Sequence, residues 1–221
     1  MATATFSPSL LANLGPVDLE KILAMATVRP IAKKQIIVNR GEVAEYLFIL
    51  REGRIRYYMT TKRGEEIVFR WITPGDCFGL GTILEKPVPY MGTAEVLTPG
   101  EVLAWPQAKV RTIVSLYPQV AENALRVVLQ YLGNYADRHS RLLTESAEER
   151  VVDVLLTLGH QQGRIHDGHV ELDITNEQLS ALADVSLFTT SRLMSKWASE
   201  GSVSKSRGRV LVHAPEALVA S

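Results

Sequence analysis

From Pro118 to about Glu145 the chain has one internal glycine, Gly133, and its apolar residues fall on two stripes. One stripe is Ala121, Ala124, Val128, Tyr131, Tyr135 and Leu142, interrupted by Arg138, and its alternating steps of three and four are those of a two-helix seam. The other is Leu125, Leu129, Leu132, Ala136 and Leu143. A helix apolar on two faces must bury both. The economical arrangement packs one stripe on the chain's own globular part and the other on a second copy; a helix enclosed within a monomer is the alternative. The interface residues expected from the first stripe are Ala124, Val128, Tyr131, Tyr135 and Leu142.

Before this helix the pattern changes once. Leu10, Leu11, Leu14, Leu19, Ile22 and Leu23 recur at helical spacing, so residues 1–30 read as mostly helical. Residues 31–107 instead hold short apolar runs, such as Tyr46–Leu50, Ile55–Met59 and Ile67–Ile72. They are separated by turn signals at Asn39–Glu42, Arg51–Arg54, Lys62–Glu65, Pro74–Asp76 and Pro99–Gly100. Regular short strands with glycine-bearing turns suggest a β sandwich, roll or barrel.

After the helix comes a small domain: a helix around Val151–Leu158, a strand at Val170–Ile174, two helices and a closing hairpin. Thr175 and Gln178 form a capping box that starts the first of the two helices, with Leu179 and Leu182 on its inner face. Ala183-Asp184-Val185 makes a tight turn, and Ser186 is a good N-cap for the second helix. There Thr190, Leu193 and Trp197 make a buried stripe, while Leu187, Phe188, Ser191, Arg192 and Ser195 face outward. Two short helices joined this way, the second with a polar outer face, form a helix-turn-helix whose second helix enters the major groove. Val203–Val212 reads as a hairpin wing with Lys205, Arg207 and Arg209 at its tip.

Net charge is zero, so composition announces no nucleic-acid partner. Placement does: from Arg192 to Arg209 the cations are Arg192, Lys196, Lys205, Arg207 and Arg209, against one anion, Glu200. The expected contacts to double-stranded DNA are Thr175, Ser186, Leu187, Phe188, Thr189, Ser191, Arg192, Lys196, Lys205, Arg207 and Arg209. A helical hairpin used only for packing is the bland alternative. The single cysteine, Cys77, excludes an intramolecular disulfide and a cysteine-only metal cluster. No cation adjoins it in sequence to lower its pKa, so a redox role is not expected. The first residues lack the pattern of a secretory signal, and no apolar run approaches the ~18 residues of a membrane span, which leaves the cytoplasm as the default and no membrane partner. A Gly-rich phosphate loop, a nucleophile elbow and paired carboxylates in a motif are all missing, so an enzyme is not expected.

Over residues 18–213 the chain resembles the CRP/FNR (cyclic-AMP receptor protein / fumarate-nitrate regulator) family of bacterial transcription regulators. The likeness rests on Gly41-Glu42, Gly53, Gly64 and Pro74-Gly75-Asp76-Cys77-Phe78-Gly79 in order, the helix after Pro118, Arg150-Val151, and the helix-turn-helix. It implies an α+β fold: an N-terminal cyclic-nucleotide-binding-like β-roll (1–117), a long dimerisation helix (118–145) and a C-terminal winged helix-turn-helix (146–221). It also implies a homodimer, an effector pocket in the β-roll, and RNA polymerase as a partner.

The departures are informative. Cyclic-nucleotide-responsive members carry Gly-Glu-Leu and, further on, Arg-Ser, which hold the ribose and the cyclic phosphate. Here those segments are Gly79-Leu80-Gly81-Thr82 and Tyr90-Met91. A half-buried phosphate without a cation costs on the order of several kcal/mol, so cyclic AMP is not expected to bind tightly. Tyr135-Ala136 stands where the purine would meet two hydroxyls. One cysteine cannot hold the iron–sulfur cluster of the oxygen-sensing branch. The remaining pocket, Gly79, Leu80, Gly81, Thr82, Tyr90, Met91, Tyr131 and Tyr135, with Leu84 near it, suits an apolar ligand or haem, or is plain core. His139 is either a haem ligand or a surface residue, and His166 and His169 are a metal pair only if a third ligand joins them. Many members carry Arg-Glu-x-x-x-Arg on the recognition helix. Of these only Arg192 survives, which leaves a guanine contact, while Phe188 either presses on a thymine methyl or caps the helix-turn-helix core. The expected function is a sequence-specific DNA-binding regulator not controlled by cyclic AMP. A haem- or small-molecule-sensing member, a constitutively active regulator, and a ligand-binding regulatory module without a DNA role are the other readings.

Overall fold

The early leucines form a 3-10 turn, Ser9–Leu11, and helix α1, Pro16–Ala24, which opens on a proline whose missing N–H is an orphan of the first turn anyway. The computed structural model describes residues 6, 8–62, 64, 66–162, 164–166, 169–206 and 209–213. The helical reading of residues 1–30 ends too late. Strand β1 occupies Thr27–Ile31, because Thr27 and Val28 are β-branched and Pro30 cannot donate in a helix interior. On an edge strand that proline is tolerated.

The strands that follow are β2 Ile36–Val38, β3 Tyr46–Thr60, β4 Glu66–Ile72, β5 Cys77–Phe78 and β6 Thr93–Pro106, with a 3-10 turn at Leu80–Ile83. They pair antiparallel in the order β1-β6-β3-β4, with β2 added to β6 and β5 to β3. Two expected turns are not turns. Arg51–Arg54 lies inside β3 and Pro99–Gly100 inside β6, where Glu52 pairs with Glu101 and the register shifts on either side. A Cβ on Gly53 would come within 2.6 Å of the Thr98 carbonyl oxygen, and one on Gly100 within 2.0 Å of that of Glu52. These glycines let two long strands press together at a bulge, instead of reversing the chain.

Period-two alternation along β3 feeds two cores. Leu47 and Ile49 join Leu10, Ile22, Trp105, Val110 and Val120, and the Trp105 indole donates to the Ile22 carbonyl at 3.0 Å. Phe48, Leu50 and Ile55 join Ile72, Phe78, Tyr90 and Val96 inside the roll. Helix α2, Gln107–Leu116, leads to α3, Pro118–Thr144. Contacts divide the chain into two units, 1–132 and 133–221.

The second unit continues with α4 Ala147–Gln162, β7 Arg164–His166, β8 His169–Leu172, α5 Asn176–Ala183, α6 Leu187–Ser199, β9 Val203–Ser206 and β10 Arg209–Val212. Its sheet runs β7-β8-β10-β9. The sequence pattern gives no sign of strand β7, which is three residues long and pairs with β8. The core of this unit gathers Val151, Leu155, Leu172, Leu179, Met194, Trp197, Val210 and Val212.

Candidate nucleic-acid interface

Helix α5 begins with a complete capping box: Thr175 Oγ1 accepts from the Gln178 N–H, and Gln178 Oε1 accepts from the Thr175 N–H. Its inward residues are Leu179, Ser180 and Ala183; Leu182 is exposed, contrary to the sequence expectation, because the buried arc extends from Leu179 toward Ser180 and leaves Leu182 at the opposite margin. The helix ends on Asp184 in the left-handed region (φ 53), a conformation Asp accepts more readily than most side chains. Two arginines hold this turn. The Arg138 guanidinium makes a two-pronged ion pair with the Asp184 carboxylate, and Arg150 donates to the carbonyls of Ala183 (3.1 Å), Asp184 (3.4 Å) and Glu145 (2.7 Å).

Ser186 caps α6 by accepting from the Thr189 N–H at 3.0 Å, and its hydroxyl also shares a 2.8 Å hydrogen bond with that of Thr189. Thr190, Leu193, Met194 and Trp197 are buried, as the stripe required. Asn176 donates to the Ser191 hydroxyl at 3.2 Å and ties the two helices together. Leu187 is 47% exposed, Phe188 78%, and Arg192 is exposed as well. Phe188 is therefore not a cap over the core.

The basic patch is smaller than the sequence window implied, because acids from distant segments fold onto it. Lys196 reaches Glu148 at 2.9 Å, and that hydrogen bond raises the lysine's pKa. Arg209 pairs with Glu171 (2.7 Å) and Asp173 (3.1 Å). The sequence counts both cations among the DNA contacts; in the structure both are compensated within the protein. Arg192 has no ion-pair partner among the described residues. Arg207 and the side chains of Lys205 and His166 lie outside those residues. No group of three or more histidines, cysteines or acids could hold a metal among the described residues, and His169 meets His213 edge-on at 4.4 Å.

In the β-roll, the expected effector residues are largely committed to the fold. Thr82 is fully buried and donates to the Gly79 carbonyl at 2.8 Å, and Leu80 packs on the core beside Tyr131. A Cβ at Gly81 would come within 2.7 Å of a Val88 methyl, so this segment is tightly packed. Tyr90 is 6% exposed, and its hydroxyl donates to the Tyr46 carbonyl at 3.0 Å. Phe48 stacks on Phe78 at 4.8 Å, and Tyr57 accepts from the Gly92 N–H at 2.9 Å. Met91 and Tyr135 are exposed, and Tyr135 stacks with His139.

Sequence reasoning missed Arg70. It shares the inward face of β4 with Val68 and Ile72, lies 4.0 Å over the Tyr131 ring, and pairs with Asp76 at 2.5 Å. A cation thus does adjoin Cys77 in space, and it donates to the Cys77 carbonyl at 3.4 Å. Burial outweighs its pull and pushes the thiol up to about 11. A charged residue inside an apolar alternation was the signal available.

On α3 the exposed row differs from the stripe expected to face a second copy. Ala124 is buried in its own core with Val120 and Val127, and Tyr131 packs there too, so neither is free for a partner. The exposed residues are Leu125, Val128, Leu132, Tyr135, His139 and Leu142, an unbroken three-four repeat, with Leu129 beside it. The inward stripe shifts because α3 buries Val120 and Val127, which sit off both expected stripes.

Residues 28–117 match the cyclic nucleotide-binding domain family, and residues 149–221 match the Crp-like helix-turn-helix domain. The cyclic AMP receptor protein of Thermus thermophilus is 27% identical over 202 residues, covering 90% of each chain. The cAMP-activated global transcriptional regulator CRP of Pasteurella multocida is 20% identical, covering 88% of this chain and 93% of that one. The c-di-GMP responsive global regulator CLP of Xanthomonas campestris shares the fold, with a TM-score of 0.77 at 16% identity over 90% of this chain and 99% of that one. The chain belongs to the CRP/FNR family. It is a DNA-binding transcription regulator and not an enzyme. In this CRP/FNR member the helix-turn-helix is α5 and α6, and no helix among the described residues is long and apolar enough to cross a membrane.

Proposed function

We propose that the protein is a homodimeric, sequence-specific regulator in which cyclic AMP does not control DNA binding. Residues 1–117 form the effector-type domain, 118–145 the dimerisation helix and 146–221 the DNA-binding domain. The observation that carries the cyclic-AMP part is Tyr90: where responsive relatives place an arginine, a tyrosine is buried and hydrogen-bonded to Tyr46. Arg70, the cation beside Cys77, is already paired with Asp76. A cyclic phosphate lodged against the buried Tyr90 would gain no arginine there, and an unpaired, partly desolvated phosphate costs on the order of several kcal/mol.

The apolar row from Leu125 to Leu142 supports a second copy as the partner of α3. On DNA, Arg192 is the base reader and Lys205 and Arg207 are phosphate contacts. RNA polymerase is carried over as a partner on family likeness alone. Calorimetry of the full chain with cyclic AMP, alongside duplex binding with and without it, tests the reading. No isotherm at micromolar nucleotide and unchanged, salt-sensitive duplex binding are expected. A clear isotherm coupled to tighter DNA binding would overturn it.

A further inference from the structure

The face that α6 turns outward is unusual in what it has left to offer a duplex. Thr189 and Ser186 hydrogen-bond to each other, and Ser191 is held by Asn176. The helix itself, Leu187–Ser199, contains no acid, so no carboxylate on it accepts from the exocyclic amine of cytosine. The uncommitted groups are Phe188, at 78% exposure the most exposed aromatic side chain among the described residues, its neighbour Leu187, and Arg192 one turn further on. Phe188 and Arg192 are four residues apart and so share one helical face.

We propose that Phe188 is a specificity-determining residue that reads the 5-methyl group of thymine, next to a guanine read by Arg192; this rests on α6 entering the major groove. A guanidinium and a phenyl ring one turn apart match a guanine O6/N7 edge and a methyl-bearing pyrimidine within neighbouring base pairs. A phenyl ring this exposed gains by burial against a methyl, and the flanking cation selects a polyanion over an apolar protein surface as its occupant. Because the contact is to a methyl group, it reads 5-methylcytosine as it reads thymine, and it is blind to hydrogen-bonding pattern.

The test uses the full chain and the duplexes it enriches from a pool with a randomised core. Each thymine of the best duplex is replaced in turn by uracil, which removes one methyl and leaves pairing intact. Wild-type protein should lose about fourfold in affinity at one thymine near the essential guanine. That penalty should disappear in Phe188→Ala and persist in part in Phe188→Leu, and Phe188 is exposed enough that both variants should keep the wild-type melting temperature. Two results would overturn the proposal while leaving DNA binding standing: indifference to uracil at every position, or an equal penalty in Phe188→Ala. If no duplex is enriched and no salt-sensitive affinity is found, the DNA reading falls with it.

Discussion

The Arg138 guanidinium, on the last turns of the long helix, grips the carboxylate of Asp184 at the turn of the helix-turn-helix. Asp184 does two jobs there: its backbone takes the left-handed conformation that ends α5, and its side chain ties that turn to α3. Both side chains are largely shielded, so the pair is worth more than a surface salt bridge. Arg138→Ala and Asp184→Asn should each lower the stability of the DNA-binding unit by roughly 1–3 kcal/mol. The double variant should cost less than the two combined. Urea unfolding followed by tryptophan fluorescence checks this, with Trp197, the tryptophan of that unit, as the reporter in a Trp71→Phe/Trp105→Phe background; strict additivity would mean the pair carries no coupling.

On DNA, Arg192 and Lys196 should behave differently although both are cations of α6. Arg192→Ala should cost about 1–3 kcal/mol on the preferred site and relax preference at one base pair. Lys196→Ala should change affinity and salt slope little, because Glu148 already occupies its charge. Anisotropy titrations across a salt series separate the two. A uniform loss on all sequences from Arg192→Ala would remove it as a base reader.

Much of this is legible in the sequence, and what is not has a common cause. The capping box at Thr175, the Ser186 cap and the buried Thr190/Leu193/Trp197 stripe are local, so spacing alone locates them. The fate of Lys196 and Arg209 is not local, since their neutralising partners Glu148, Glu171 and Asp173 lie outside the window in which charge is counted. Gly53 and Gly100 carry a turn's composition but serve a cross-strand approach that only pairing reveals. On α3 the two apolar stripes are visible, yet which one faces inward depends on Val120 and Val127 meeting Trp105 and Ile22 far away in the chain.

Thr190 carries a polar atom its surroundings do not use. It is fully buried, and its hydroxyl has no hydrogen-bond partner among the described residues. Valine has nearly the same shape and removes the desolvated hydroxyl, so Thr190→Val should stabilise the unit by about 1 kcal/mol. The outward face of α6 is untouched, and DNA affinity should stay as it was. A drop in melting temperature would mean the hydroxyl is satisfied in solution.

The exposed row on α3 predicts oligomeric state. Leu132 is 60% exposed and lies mid-row, so Leu132→Glu should leave the monomer folded while placing two like charges face to face in a dimer. Sedimentation should show monomers, with weaker binding to a two-half-site duplex. A persistent dimer would move the interface elsewhere on the chain.

Cys77 sets the last expectation, at alkaline pH. Burial raises its thiol to about 11 from an ordinary 9.0, against the lesser pull of Arg70 in the other direction. Between those two values the folded thiol keeps its proton while the unfolded one gives it up. The unfolded state therefore binds fewer protons, and stability falls as pH rises through this window; below about 9 the contribution is complete. Tyr131, Tyr90 and Tyr57, all raised by burial, act with the same sign, so the cysteine's share is the difference between wild type and Cys77→Ala. Urea midpoints measured from pH 8 upward should decline less steeply in the variant, and a neutral-pH thiol reagent should label the native protein only at the rate of opening. Rapid labelling at pH 8 would show a thiolate already present and contradict the buried, neutral thiol.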